Sequence, residues 1–281
     1  MIVRRGGPGR PEGRARPAVV SAPAVADLPG GPLPYTLRQS PRARGLRVVI
    51  HPERGVVVTV PASRTGPDRG ERHATVFLAQ REAWLRRHLA RQEHEAAAIA
   101  ERGGARHGGR IPYLGELHSV AAVPAVSGTA RSHVVHLPDT RELVIHRTPR
   151  ERRGDPAIVE AWLRERAREA IEAAIRAHAH ELGVTPAAMT LRDPRTRWGS
   201  ATPRGRLSFS WRLVLAPPAA LETVVIHELA HLRVFGHGPR FWALVASRRP
   251  DHRTWRRWLH DHATELHRAL DGERTGPAAR T

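Results

Sequence analysis

Val225-Ile226-His227-Glu228-Leu229-Ala230-His231, followed six residues on by His237, decides how this chain of 281 residues is read. On a helix, positions i and i+4 share one face a turn apart, so the imidazoles of His227 and His231 can reach a single ion. Glu228 stands next to the first of them but points aside, where a carboxylate can act on a metal-activated water. This H-E-x-x-H arrangement is that of zinc hydrolases. From Pro218 to Phe235 the stretch carries Leu221, Val224, Val225, Ile226, Leu229 and Leu232, apolar almost all round, so the spacing predicts a buried helix. Two histidines and a glutamate in such a helix need compensation, which a metal provides. The plainer alternative is a helix whose polar groups reach backbone partners.

A zinc hydrolase takes three protein ligands and leaves a fourth position open. His237 lies six residues after His231, the metzincin spacing, but Val234 fills the glycine position of that pattern. The only methionines, Met1 and Met189, lie upstream, so the downstream methionine turn of a metzincin is missing. Gly236 can end the helix and turn His237 back toward the ion. Asp251 is the competing oxygen ligand, and His237 is preferred over it. Three histidines suit Zn2+, one per chain.

Composition narrows the rest. There is no cysteine, which removes disulfides, thiolate ligands and thiol nucleophiles together. All 46 basic residues are arginine, so P-loop, Schiff-base and kinase lysines are excluded. The net charge of +19 invites a nucleic-acid reading. The arginines are nevertheless spread along the chain and interleaved with glutamate, as in Arg164-Glu165-Arg166-Ala167-Arg168-Glu169, the pattern of a solvated helix face. Non-specific nucleic-acid association through an arginine-rich surface stays open. No apolar run reaches membrane-span length, so no membrane partner is expected. The arginines followed by Ala18 to Ala26 resemble a signal peptide only faintly, because Pro17, Ser21 and Pro23 interrupt them; a cytoplasmic protein is expected.

Along the chain, residues 1–33 are rich in Gly, Pro, Arg and Ala and read as a disordered leader. Residues 34–150 read as a β-rich part with one helix. Leu46 to Ile50 and Val56 to Pro61 make a hairpin through His51 to Gly55. A helix is expected over 71–100, a glycine-rich link at 103–109, and short strands at 117–123, 134–137 and 143–145. Asp155-Pro156 supplies an N-cap and first helical residue for a helix to Leu182 that Gly183 stops. Met189 to Arg192 and Leu207 to Leu215 read as strands, the second with one buried face. After the metal helix come helices at 239–248 and, past Pro250-Asp251, to Leu270. Residues 151–270 form the core and 271–281 a disordered tail. No internal repeat stands out.

Thr196-Arg197-Trp198-Gly199-Ser200, Leu207 to Pro218, His227 to His231, and His237-Gly238-Pro239-Arg240-Phe241-Trp242 together resemble the YgjP-like metallopeptidase family, related to the SprT-like and WLM proteases. Ile111-Pro112-Tyr113-Leu114-Gly115 and the strand pair between Leu46 and Pro61 extend the likeness to about residues 34–270. The resemblance implies an α+β, zincin-like core, with the H-E-x-x-H helix against a small sheet, preceded by the hairpin and helix. It implies that His227, His231 and His237 bind zinc and that Glu228 is the general base in hydrolysis of protein or peptide. Ala201 stands where the family commonly has cysteine. Two alternatives remain: a DNA-associated protease of SprT-like type, and a non-catalytic, metal-stabilised binding module.

An extended substrate is expected to add as a strand beside Leu207 to Leu215 or a neighbouring strand. Tyr35 and Tyr113 lie far upstream, so a tyrosine at the oxyanion is not expected; Arg240 and His252 are weaker candidates for that task. His178 and His180 read as partners of helix-end carbonyls, and His260, His262 and His267 as surface residues. Trp198, Trp211 and Trp242 read as core packing. Arg197 and Ser200 carry no evident chemistry and read as part of a turn.

Overall fold

A computed structural model describes residues 19–51, 55–62 and 67–271. The chain divides into two compact units, Met1–Gln92 and Glu93–Thr281. This division falls before the strand Arg110–Tyr113, not near residue 150 as the sequence predicts. Each group of strands instead has its own apolar face to bury, and the two bury them in separate cores.

In the first unit, β1 (Val20–Ala26), β2 (Leu33–Ser40), β3 (Arg47–His51) and β4 (Gly55–Pro61) form a sheet ordered β1-β2-β4-β3. Leu33, Tyr35 and Leu37 alternate with Val56, Val58 and Val60 on its buried face, under Ala74, Leu78 and Leu85. The expected hairpin of β3 and β4 is present, with Pro52 to Arg54 outside the described residues. Where a disordered leader was expected there is β1. Pro23 is compatible with it because β1 is an edge strand, where a missing N–H costs no ladder bond. Residues 1–18 and 272–281, the rest of the expected leader and most of the tail, lie outside the described residues. The expected helix over 71–100 is two, α1 (Pro67–Ala79) and α2 (Glu82–Glu101).

In the second unit, β5 (Arg110–Tyr113), β6 (Glu116–Pro124), β7 (His133–Leu137) and β8 (Glu142–Arg147) form a sheet ordered β5-β6-β8-β7. Both four-stranded sheets share one plan: an antiparallel pair, a parallel central pair and a second antiparallel pair. The chain therefore does hold a repeated structural plan. The sequence hides it because burial fixes only which positions are apolar.

The helix α3 (Asp155–Leu182) follows, closed at Gly183 as expected. Gly154, not Asp155, occupies the cap position, and the Asp155 carboxylate is taken by Arg147 and by the backbone N–H of His107 (3.3 Å). Then β9 (Ala188–Arg192), β10 (Gly199–Ala201) and β11 (Arg206–Ser210) form a small sheet with β11 in the middle. The strand expected over 207–215 stops at Ser210. Its hydroxyl accepts from the Arg212 N–H (3.3 Å) and starts a 3-10 turn, Trp211–Leu215. Trp211, Leu213, Val214 and Leu215 are all fully buried, a pattern no half-buried strand has.

Four helices close the unit: α4 (Pro218–Ala230), α5 (Pro239–Arg248), α6 (His252–Asp261) and α7 (Ala263–Arg268). α4 lies at the centre, packed against α3, α5, α6 and β10. Its apolar side chains, with those of α3 and the 3-10 turn, make the larger core. The fold is therefore mixed α+β, with the H-E-x-x-H helix beside a small sheet. None of the described helices is long and apolar enough to cross a membrane.

Two contacts hold the segments around α4. The β5–β6 turn docks on the approach to the helix, Leu114 N–H donating to Val214 O (2.9 Å) and Gly115 N–H to Leu215 O (3.0 Å). Gly115 has φ +84°, and a Cβ there would lie 2.7 Å from Pro217 Cγ, so turn and close approach both require glycine. Arg212 grips Asp193 bidentately, Nε to Oδ1 at 2.8 Å and Nη2 to Oδ2 at 3.1 Å. It also donates to Leu266 O on α7 and lies 4.4 Å over the Trp211 ring. Burial by itself would raise the Asp193 pKa, but the hydrogen bond and charge of Arg212 outweigh it and hold the carboxyl below its usual value. Since folding lowers this pKa, its contribution is complete above the unfolded value of about 4 and is lost as pH falls through the folded value. Asp193→Asn should therefore destabilise the fold by about 1 kcal/mol at neutral pH, allowing for solvent screening. In urea melts the difference from wild type should vanish in acid.

Candidate metal centre

His227 is in the last turn of α4, and His231 caps its end. The helix stops at Ala230, short of the expected Phe235. Leu232 to Val234 continue as turns bonded to Leu229 and Ala230, and Gly236 sends the chain back. That reversal brings in His237. The ligand nitrogens of His227, His231 and His237 all lie within 4.8 Å of one another, with the Nε2 atoms of His227 and His237 3.1 Å apart. Among the described residues these are the one such group of three or more metal-ligating side chains.

Three features fit this group to a metal. Burial, reinforced by the charges of His231, His237, Arg256 and His252, pushes the His227 pKa down to about 3, and burial lowers that of His231 too. Both imidazoles are therefore neutral, the state that binds a cation. His231 Nδ1 lies 3.4 Å from Val234 O, and donating there leaves Nε2 free to face an ion. The rings are also held in place, His231 stacked on Phe241 (4.4 Å) and His237 on Trp242 (5.6 Å).

Asp251, the rival ligand, is engaged elsewhere. It accepts from Trp255 Nε1 (2.6 Å) and pairs with Arg249 (3.1 Å).

Glu228 is 6% exposed, and burial raises its pKa to about 7 against the opposing charge of Arg197. Gly199 of β10 lies directly against it: a Cβ there would come 2.7 Å from both Glu228 Cγ and Oε1. The Trp-Gly-Ser run therefore does more than turn the chain, because its glycine leaves the space the carboxylate occupies. A cleft of about 300 Å³ opens over His227 and His237, lined by Arg197, Trp198, Thr223, Glu228, Arg256 and Leu259 among others.

Several expectations need correction here. Neither Arg240 nor His252 lines this cleft; His252 is buried, stacked on Trp242 (5.5 Å) with Nδ1 3.0 Å from Arg249 O. Arg197 and Arg256 are there instead. Arg197 lines the cleft and does not merely belong to a turn, and Arg256 is masked in the sequence by the arginines around it. Trp198 is a cleft wall as well as packing, and His267 stacks on it (5.0 Å), half-buried and not a surface residue. Trp211 is core, as expected. Tyr113 packs with His118, His136 and Trp162, away from the cleft.

A family model described as the YgjP-like metallopeptidase domain matches residues 44–262. No curated protein matches the chain. A similar solved structure is that of the metallopeptidase zymogen of Pyrococcus abyssi abylysin, 18% identical, covering 34% of this chain and 93% of that one with a TM-score of 0.28, too slight a likeness to bear on the fold.

Elemental analysis of the purified full chain should find about one metal ion per chain. His231→Ala and His237→Ala should each lose it, and Asp251→Ala should keep it.

Proposed function

The chain belongs to the YgjP-like metallopeptidase family, and from that premise we propose that it hydrolyses peptide bonds with one zinc ion held by His227, His231 and His237 and with Glu228 as general base. The observation that carries this reading is the meeting of three imidazoles, two of them held neutral by burial, with a buried carboxylate beside one cleft. Zinc, when bound, supplies Lewis-acid polarisation of the scissile carbonyl and acidifies water.

The remaining work falls to the chain itself. Glu228 takes the proton of the attacking water on its carboxylate and delivers it to the leaving amine. Apolar walls around it, Val224 and Leu259 among them, keep bulk water from competing for that proton. Gly199 allows the carboxylate to stand where it does.

The substrate backbone has one strand edge to use near this carboxylate. β11 has both edges taken, by β9 and β10, which rules out the strand first considered for this role. Among the described residues β10 pairs only with β11, so its outer edge accepts an extended peptide by strand addition. Recognition through main-chain bonds reads backbone more than side chains. The cytoplasm is the compartment we propose.

The alternatives predict different behaviour. A DNA-associated protease would need a placed phosphate-binding surface. Many of the arginines are instead paired with carboxylates, among them Arg164–Glu160 (2.8 Å), Arg248–Glu181 (3.1 Å) and Arg249–Glu222 (3.0 Å). A non-catalytic metal module would be indifferent to Glu228.

Glu228→Gln should retain the metal and lose turnover by about 10²- to 10⁴-fold in a peptide-hydrolysis assay. Gly199→Ala should also keep the metal, since the atoms nearest the added Cβ all belong to Glu228, and lose at least tenfold by displacing the carboxylate. Undiminished hydrolysis by Glu228→Gln would sink the assigned mechanism. Chelation should abolish activity, and zinc should restore it.

A further inference from the structure

The cleft carries two arginines that this chemistry leaves without a task. Arg256 stands on α6 four residues after His252 and three before Leu259, both buried, so it shares the helix face that packs toward α4. Its guanidinium lies 4.3 Å over the Trp242 ring, and that indole stacks in turn on His237 and His252. Stacking fixes a planar cation by its face and leaves the in-plane N–H donors for a planar acceptor. Arg197, across the cleft, acts on Glu228 by charge alone. Among the described residues neither arginine has a carboxylate partner, unlike Arg147, Arg212, Arg248 and Arg249.

The lining of the cleft holds a single acidic residue, Glu228, which the proposed mechanism reserves for proton transfer. Two guanidinium groups between apolar walls therefore face a space with no anion assigned to it. Low-dielectric walls strengthen the field such charges project into a cleft. A carboxylate is the planar, bidentate acceptor that fits a face-stacked guanidinium best.

We propose that Arg256, assisted by Arg197, selects peptide substrates that carry a carboxylate beside the scissile bond, as an Asp or Glu side chain or as a free C-terminus. The inference rests on the peptidase reading for the word substrate, but its binding test does not need turnover.

The probe is a set of fluorescently labelled peptides, matched except for Glu against Gln at positions flanking the bond, each with a free and an amidated C-terminus. Binding is read by anisotropy on the zinc-loaded full chain carrying Glu228→Gln. The carboxylate peptides should bind about tenfold more tightly than their neutral counterparts, the order expected for one charge-assisted pair. Arg256→Gln should erase that advantage while changing the neutral peptides less than about twofold, and Arg256→Lys, which keeps charge but not the fork, should restore part of it. Tighter binding of Glu than of Gln peptides with both C-termini amidated assigns the carboxylate to a side chain; tighter binding of free than of amidated termini, with no Glu advantage, assigns it to the terminus. Equal binding of all four peptides, no binding of any, or equal weakening of all four by Arg256→Gln would overturn the proposal. Hydrolysis by the wild-type chain separates the two readings: cleavage without acid preference removes this inference alone, and acid-selective binding without cleavage removes the peptidase.

Discussion

Everything in the second unit is arranged around the cost of burying polar groups on α4. The helix is apolar on nearly every side, yet it carries His227 and Glu228 inward. Burial shifts each toward its neutral form, His227 downward and Glu228 upward. For a lone pair of such residues this would be a liability. Here the same desolvation leaves the imidazoles as neutral donors for a cation and leaves the carboxylate with an affinity for protons near neutrality. The chemistry and the instability have one source.

That constraint explains which neighbours are small and which are locked. Glu228 needs a strand close enough to shield it but without a side chain in its space, and Gly199 on the edge strand β10 meets both conditions. His237 has to return from beyond the helix end, so the helix gives way to turns after Ala230 instead of running on. The approach to the helix is fixed by the backbone bonds from Leu114 and Gly115 to Val214 and Leu215, which couple the four-stranded sheet of this unit to the start of α4. The Ile-Pro-Tyr-Leu-Gly motif is thus a docking element. Its glycine has a positional reason independent of any chemistry.

The pairing of His227 with His231, the carboxylate beside them and the apolar helix that carries them were legible in the sequence, because their signals are local: i, i+4 spacing and unbroken apolarity. What escaped depends on contacts between distant segments. The strand expected over 207–215 fails at Ser210, where a side-chain hydrogen bond outcompetes the ladder, and the burial of Val214 then breaks the alternation. β1 was hidden by Pro23, which only an edge position permits. Gly199 gave no sign of its purpose, since the carboxylate it accommodates lies far along the chain on another element. The placement of the division at Gln92 followed from two separate cores with one strand plan, something composition cannot express.

The charge of the chain illustrates the same limit from the other side. A net +19 spread over arginines says little about function, because charge that is interleaved or paired with carboxylates projects little field. Arg212 spends its guanidinium on Asp193 and Leu266, and Arg248 on Glu181. What distinguishes an arginine is therefore the absence of a carboxylate partner together with a surface that holds it still. Arg256 meets both conditions: Trp242 fixes its plane, and the helix face that carries it is anchored by buried His252 and Leu259. A basic composition makes such a residue hard to see in sequence, and the fold makes it conspicuous by holding its plane against Trp242 at the wall of the cleft.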